Sequence, residues 1–104
     1  MELTILERLE GSNVIPQEGD MLYLRMRQDL IGKLGLSGEE LERYGFVRNE
    51  ETGMATWNPD IPQEVEIDLT DAEVGVITEA LQKRNKERTL TPNHMTLYEK
   101  FVGK

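Results

Sequence analysis

Three carboxylates, Glu64, Glu66 and Asp68, alternate with apolar residues and have the oxygen chemistry that hard cations prefer. Alternate side chains of a β-strand point to one face, so the pattern predicts a half-buried antiparallel strand with an acidic outer face. On that face the side chains lie about 6.5 to 7 Å apart, too far for three short carboxylates to meet at one ion. We therefore expect a solvated face, with neither a bound metal nor a paired-carboxylate hydrolase site.

Other residue types that carry catalysis are scarce. The sequence has no cysteine, which excludes thiolate nucleophiles, disulfides and thiolate zinc sites and indicates a reducing compartment. The only histidine, His94, falls in the first turn of a predicted helix, where we expect a surface or edge residue and not a catalytic base. The glycines form neither a dinucleotide-binding nor a phosphate-loop motif. We expect no enzyme activity and no cofactor.

Length and charge narrow the class of protein further. The chain has 104 residues, with 12 basic and 20 acidic side chains, giving a net charge of −8. This length predicts a single domain over residues 1–104. There is no apolar run of about 18 residues, and the N-terminal segment is acidic where a signal peptide would be basic. We expect a cytoplasmic protein that does not contact a membrane.

Apolar residues at helical spacing predict two helices in the first third of the chain. The first covers residues 3–9 and is expected to end at Gly11, because glycine commonly ends a helix. Residues 12–19 are predicted to form a loop. Asp20 is a suitable N-cap for a second helix, which is expected to end near Gly35.

The middle of the chain combines a short helix with a hairpin. Ser37 and Glu40 have the spacing of a capping box, in which each side chain bonds to the other residue's backbone N–H, and predict a third helix. Residues 46–49 and 54–57 then flank a four-residue loop. Its Gly53 can adopt the left-handed backbone conformation that closes a hairpin.

Two more helices are predicted at the C-terminal end. Thr70 and Glu73 form a second capping box, which marks the start of the fourth helix. Thr91 is expected to cap the last helix, with Pro92 at its first position, where the missing N–H of proline costs nothing. The pattern of elements therefore mixes helices and strands.

We expect an α+β fold in which about five helices pack against one small antiparallel sheet, made of the 46–57 hairpin and the 64–69 strand. The Asn58-Pro59 and Ile61-Pro62 pairs should interrupt any strand between them, since proline donates no ladder hydrogen bond. Three helices followed by a hairpin is also the order of a winged-helix domain. The predicted core residues are Leu6, Leu9, Met26, Leu30, Leu34, Leu41, Phe46, Trp57, Val65, Ile67, Val74, Ile77, Leu81, Leu97, Tyr98 and Phe101.

Four segments resemble a group of small phage and prophage proteins of unknown function. They are Leu3–Leu9, Pro16–Gly19, Trp57-Asn58 and His94–Phe101, so the resemblance runs along nearly the whole chain. It implies a phage or prophage setting and supplies no catalytic residues. It also favours a role in assembly or in engaging host proteins, as is common for very small phage proteins.

Direct binding to nucleic acid is disfavoured by charge. In a winged-helix domain the helix before the wing reads DNA and must be basic. Here that helix carries Glu39, Glu40 and Glu42 against Arg43 alone, which would repel phosphates. We expect protein partners and no direct contact with nucleic acid.

The second helix is the leading candidate for a partner surface. Met21, Leu22 and Leu24, together with its inner apolar residues, make this helix hydrophobic on more than one side. A small domain has little interior to bury such a helix, so it is expected to be shared with a partner, and the protein to form a homo-oligomer.

A second candidate function follows from the distribution of charge. Residues 37–73 carry nine net negative charges, which could imitate a phosphate track and occupy the basic groove of a host nucleic-acid-binding or defence protein. The strand triplet of Glu64, Glu66 and Asp68 has a suitable spacing. The carboxylates invoked are Glu39, Glu40, Glu42, Glu50, Glu51, Glu64, Glu66 and Asp68.

Overall fold

Five α-helices and four two-residue strands are found in the computed structural model, which describes residues 1–58 and 64–103. The α+β class is confirmed. The proline pairs fall largely on residues 59–62, outside the described part of the chain. In order, the elements are β1 (Glu2–Leu3), α1 (Ile5–Val14), α2 (Met21–Leu34), α3 (Gly38–Arg43), β2 (Val47–Arg48), β3 (Ala55–Thr56), β4 (Val65–Glu66), α4 (Asp71–Glu87), a 3-10 turn (Pro92–His94) and α5 (Met95–Phe101).

Local capping determines where the helices begin. Helices α1, α3 and α4 each start with a complete capping box, of which the sequence predicted the last two. The carboxylate of Asp20 accepts the Tyr23 N–H at 2.8 Å, which confirms it as the cap of α2. The three boxes are Thr4 with Glu7, Ser37 with Glu40, and Thr70 with Glu73.

The predicted end of the first helix at Gly11 is wrong, because α1 continues to Val14. Gly11 has no left-handed backbone conformation and is buried, and a Cβ there would lie 3.5 Å from Cδ1 of Leu34. Gly11 is therefore an interior residue of α1 and does not end the helix. The helix ends where Ile15 becomes extended, as expected for the residue before Pro16.

The strands form two separate antiparallel sheets instead of the single sheet that we expected. Strands β2 and β3 form the predicted hairpin, with Val47 opposite Thr56 and a left-handed Gly53 in its loop. Strand β4 pairs with β1, which the sequence analysis took for the start of a helix, and Leu3 lies opposite Val65. The buried side chain of Leu3 joins the core through this pairing.

The core is centred on the inner faces of α2, α4 and α5. Leu30, Leu34, Ile77, Leu81 and Leu97 are almost completely buried, as predicted. Ile67 is also buried. The other predicted core residues are half-buried, with one exception. That exception is Leu41, which is exposed because α3 is short and buries none of its own side chains.

The predicted core omitted several buried apolar residues. Phe46 and Trp57, which it included, contact each other. The rings of Phe46 and Trp57 stack in parallel, with centroids 6.0 Å apart. Met95, at the start of α5, is exposed. The buried apolar residues missing from the predicted core are Leu3, Ile5, Val14, Ile15, Tyr44 and Ala80.

Arg8 on α1 is the most extensively bonded buried side chain. Its guanidinium donates to the carbonyl oxygens of Leu34 and Gly35 at 3.1 and 2.5 Å, and so satisfies the C-terminal end of α2. It also forms a bidentate pair with Glu40, with distances of 2.6 and 3.1 Å. One side chain therefore joins α1 to the end of α2 and the start of α3.

The capping glutamates of α1 and α4 are also paired with cations from other helices. The Lys100 Nζ of α5 lies 2.8 Å from Oε1 of Glu7, and the Lys33 Nζ of α2 lies 2.7 Å from Oε1 of Glu73. Burial alone would raise the pKa of both carboxyl groups. The hydrogen bonds from these lysines and from the caps outweigh it, so that each pKa is lowered.

None of the helices in the described parts of the chain combines the length and the apolar character that crossing a membrane requires.

We predict that Arg8→Met destabilises the protein by about 3 kcal/mol, because the half-buried carboxylate of Glu40 loses its cationic partner. The carbonyl oxygens at the end of α2 also lose their donors. Urea denaturation followed by circular dichroism measures the loss. Arg43→Met is the matched control, since Arg43 is exposed and its guanidinium only lies over the Tyr44 ring. Its cost should stay under about 1 kcal/mol, and equal losses in the two variants would contradict the assignment.

We predict that stability falls as the pH drops from about 4.5 towards 2. The hydrogen bond from Arg8 lowers the pKa of Glu40 from 4.5 to about 2. The unfolded chain therefore binds this proton at a higher pH than the folded chain does, and protonation favours unfolding throughout that interval. Glu40→Gln should be less stable at pH 7 but should show a shallower loss below pH 4.5.

Urea denaturation at a series of pH values between 2 and 7 measures this slope. Glu39→Gln is the matched control, because Glu39 lies beside Glu40 on α3 but is exposed. It should keep the slope of the unsubstituted protein. A slope unchanged in Glu40→Gln would show that the Arg8 pair is not what couples stability to pH.

Candidate functional site

The first turn of α2 carries two adjacent exposed apolar side chains. Met21 and Leu22 are 65% and 79% exposed, although the helix is rigidly held. The Pro16 carbonyl oxygen accepts hydrogen bonds from the hydroxyl of Tyr23 at 2.6 Å and from Nε of Arg27 at 3.0 Å. Together with the Asp20 cap, these bonds fix α2 against the preceding loop.

The three apolar residues predicted for a partner surface do not share one face. At about 100° per residue, Leu22 and Leu24 point about 160° apart around the helix. Leu24 is 38% exposed and lies on the opposite flank. The structure thus places Met21 and Leu22 on the outward side of α2, with Leu24 at its other edge.

Polar residues continue the outward face along α2. Arg25, Gln28, Asp29 and Gly32 are all exposed. Neither Arg25 nor Asp29 has a hydrogen bond or ion pair within residues 1–58 and 64–103. Their charges are therefore available to another molecule. The helical spacing of the apolar residues in this segment predicts that Arg25, Gln28 and Asp29 face out, and their exposure confirms it.

A cavity of about 540 Å³ opens beside the same face. Met26, Asp29, Gly32 and Lys33 of α2 line one side of it, and the start of α4 contributes Thr70 and Glu73. A Cβ added at Gly32 would have no neighbour within 4 Å, so there is open space above the helix at this point. The cavity and the polar residues together define a groove along α2.

The acidic face formed by Glu64, Glu66 and Asp68 is partly neutralised. Glu64, Glu66 and Asp68 are exposed, as predicted. Oε1 of Glu66 lies 2.5 Å from the amino group of Met1, and Oε1 of Glu64 lies 3.8 Å from Nζ of Lys100. Only Asp68 of the three has no cationic partner within the described residues.

The remaining carboxylates of the acidic segment have mixed environments. Glu40 is engaged by Arg8, as described above. Glu39 and Glu42 on α3 are exposed, and so are Glu50 and Glu51 in the hairpin loop. The acidic residues therefore do not form one uninterrupted track of free charge.

The expectation that His94 lies at the surface is wrong, because its side chain is buried. Its Nδ1 accepts the N–H of Thr91 at 2.9 Å, so Nε2 carries the hydrogen and donates to Oε2 of Glu10, also at 2.9 Å. Both ring nitrogens are engaged in holding the 3-10 turn against α1. The signal in the sequence was the spacing of Thr91 and His94, which is that of a capping box with histidine in the glutamate position.

Within residues 1–58 and 64–103, no three histidine, cysteine or carboxylate side chains are grouped closely enough to hold a metal ion. No protein-family model matches the chain, and neither the curated proteins nor the solved structures include one that is significantly similar to it. The outward face of α2 and its groove are therefore assigned from the geometry of this chain alone.

We predict that Gly19→Ala loosens the first turn of α2 and costs about 1 kcal/mol, through steric overlap. A Cβ at Gly19 would lie 2.3 Å from Cδ2 and 2.9 Å from Cγ of Tyr23. The Tyr23 ring must move, and its bond to Pro16 is lost. Thermal unfolding and amide exchange at residues 23–25 measure the effect.

The matched control is Gly32→Ala, in the same helix. Gly32 has open space above it, and alanine favours an α-helix over glycine by up to about 1 kcal/mol. This variant should be at least as stable as the unsubstituted protein. If Gly19→Ala were equally stable, the close approach of Gly19 to Tyr23 would not be what holds the start of α2.

Proposed function

We propose that the protein is a non-enzymatic interaction protein that self-associates through the outward face of α2. The observation that carries the proposal is the exposure of Met21 and Leu22 on a helix that is otherwise firmly anchored. Single exposed apolar residues are common on protein surfaces. Here two of them lie on the same helix as a groove and two unpaired charges. Apolar anchors with a polar rim are the combination found at interfaces.

The energetics favour covering these side chains. Fully burying a leucine or methionine side chain contributes about 1.5 to 3 kcal/mol. Because a two-fold interface uses each residue twice, Leu22 contributes from both copies. The anchored helix also loses little conformational freedom on binding, so less of this gain is offset by ordering.

The hydrogen bonding of His94 supports a role without acid–base catalysis. Both of its nitrogens are hydrogen-bonded within the fold, so neither faces a substrate. We extend the proposal to a phage or prophage protein acting in the bacterial cytoplasm, as an assembly factor or as a protein that engages host machinery. That part of the proposal rests on the resemblance of the sequence to small phage proteins.

Mimicry of nucleic acid is the second candidate function. The exposed carboxylates of Glu39, Glu42, Glu50 and Glu51 support it. However, Glu40, Glu64 and Glu66 each lie within 4 Å of a cationic group of this chain, which reduces the charge they offer to a basic groove. The α2 surface therefore provides the stronger argument.

We predict that Leu22→Asp abolishes self-association without unfolding the protein, because it places a charge in the apolar contact. Sedimentation is measured up to about 1 mM protein, since interfaces at the small end of the size range are weak. The unsubstituted chain should dimerise with rising concentration, whereas Leu22→Asp should remain a 12.0 kDa monomer.

Met54→Asp is the matched control, because Met54 is 68% exposed but lies at the hairpin, away from α2. It should dimerise like the unsubstituted chain, and circular dichroism should show that all three proteins are folded. A chain that stays monomeric at every concentration would overturn the proposal. So would dimerisation of Leu22→Asp equal to that of the unsubstituted chain.

A further inference from the structure

Four exposed residues form one stripe along the outward face of α2. Leu22, Arg25, Asp29 and Gly32 are spaced three, four and three residues apart, and so lie within about 80° of one another around the helix. The opposite side of the helix carries the buried Leu30 and Leu34. The stripe is therefore the part of α2 that another molecule would meet first.

The stripe is complementary to the same stripe on a second copy of the chain that runs in the opposite direction. When a second α2 runs antiparallel to the first, with the two Arg27 residues at the same level, Leu22 of one copy faces Gly32 of the other. A large apolar side chain then meets an open position. The same arrangement also places Arg25 opposite Asp29, a positive against a negative charge. We propose that α2 of a second copy of this chain lies antiparallel along the stripe, with these two contacts each made twice about a two-fold axis; this inference rests on the self-association proposed above.

The unpaired state of the two charges supports this arrangement. Arg25 and Asp29 are one turn apart on the same helix, yet within the described residues they form no ion pair with each other or with any other group. Antiparallel pairing would supply each with a partner. Parallel pairing in the same register would instead set Arg25 against Arg25 and Asp29 against Asp29, which is unfavourable.

The groove beside Gly32 supports the position of the leucine. In the antiparallel arrangement, Leu22 of the second copy reaches the level of Gly32, on the side of the helix where Asp29 and Lys33 line the cavity of about 540 Å³. Nothing stands within 4 Å of the position that a Cβ of Gly32 would take. A second helix can therefore approach closely, and its leucine has space to enter.

The size of the contact sets its strength. From Leu22 to Gly32 the stripe is about 15 Å long, one helix wide. Such an interface is small, so we expect a reversible dimer that forms at high protein concentration. Orientation then depends on the charges, because a short apolar contact alone does not distinguish parallel from antiparallel helices.

The experiment exchanges the charges one at a time and together. Arg25→Glu sets carboxylates against carboxylates across the interface, and Asp29→Arg sets guanidinium groups against guanidinium groups. Each single variant should therefore dimerise at least about tenfold more weakly than the unsubstituted chain. An equimolar mixture of the two variants should form heterodimers with the original affinity, because every facing pair is then opposite in sign. The double variant Arg25→Glu, Asp29→Arg should also recover the original affinity.

Lys86→Glu is the matched control, since it makes the same change in charge on an exposed part of α4. It should leave dimerisation unchanged. Sedimentation equilibrium up to about 1 mM protein provides the dissociation constants for this weak interface.

The outcomes separate this inference from the proposed function. If the unsubstituted chain dimerises but the single exchanges have no effect, or if the mixture and the double variant are not restored, the antiparallel register is wrong while self-association stands. If the unsubstituted chain remains monomeric, both fail. If dimerisation is weakened in both single variants and recovered in the mixture and in the double variant, the antiparallel register is established.

Discussion

The buried guanidinium of Arg8 is the interaction on which the arrangement of the first three helices depends. It reaches the last carbonyl oxygens of α2 and the carboxylate of Glu40 that caps α3. Removing a guanidinium from water is costly unless its donors are satisfied. Here two of its contacts also satisfy carbonyl oxygens at the end of α2. The ends of two helices are thereby fixed relative to a third by one side chain.

The other two capping glutamates, Glu7 and Glu73, are paired with cations in the same way. Each capping glutamate of α1, α3 and α4 bonds to its own N-terminal backbone and also to a cation from a different helix, namely Lys100, Arg8 or Lys33. Because the capping box already restricts the carboxylate side chain, little further conformational freedom is lost when it pairs with the cation. Part of the large acidic content of the chain therefore connects helices instead of only solvating the surface.

The sequence allowed two of the three capping boxes to be predicted, but none of the cations that bind them. The boxes at Ser37 and Thr70 follow from residues three positions apart, and their helices were predicted correctly. The cations that bind the boxes come from 32 to 93 residues away along the chain, a distance over which no periodic pattern carries information. Strand β1 was missed for the same reason, since its two residues pair only with β4, more than 60 residues later. Gly11 was misread because a glycine inside a helix has the same letter as one that ends it.

The candidate surface was predicted in part by similar logic. An excess of apolar residues in residues 21–34 could be seen in the sequence, and the exposure of Met21 and Leu22 agrees with it. Helical spacing also places Arg25, Gln28 and Asp29 on the outward side, and the structure agrees. The open groove beside Gly32 could not be predicted, because the start of α4 forms its other side. Once Leu30 and Leu34 are known to point inward, the opposite side and its residues follow from helical geometry.

The net charge of the chain opposes the self-association proposed above. Two copies that each carry a charge of −8 repel one another at long range. At an ionic strength of 0.15 M this repulsion is screened beyond about 8 Å, whereas ion pairs in contact are screened much less. The long-range repulsion therefore opposes encounter, whereas the proposed pairs of Arg25 with Asp29 would favour one orientation after contact. Salt acts on the two terms in opposite directions, so association should be strongest at an intermediate ionic strength, at which the repulsion is screened and the contact pairs remain.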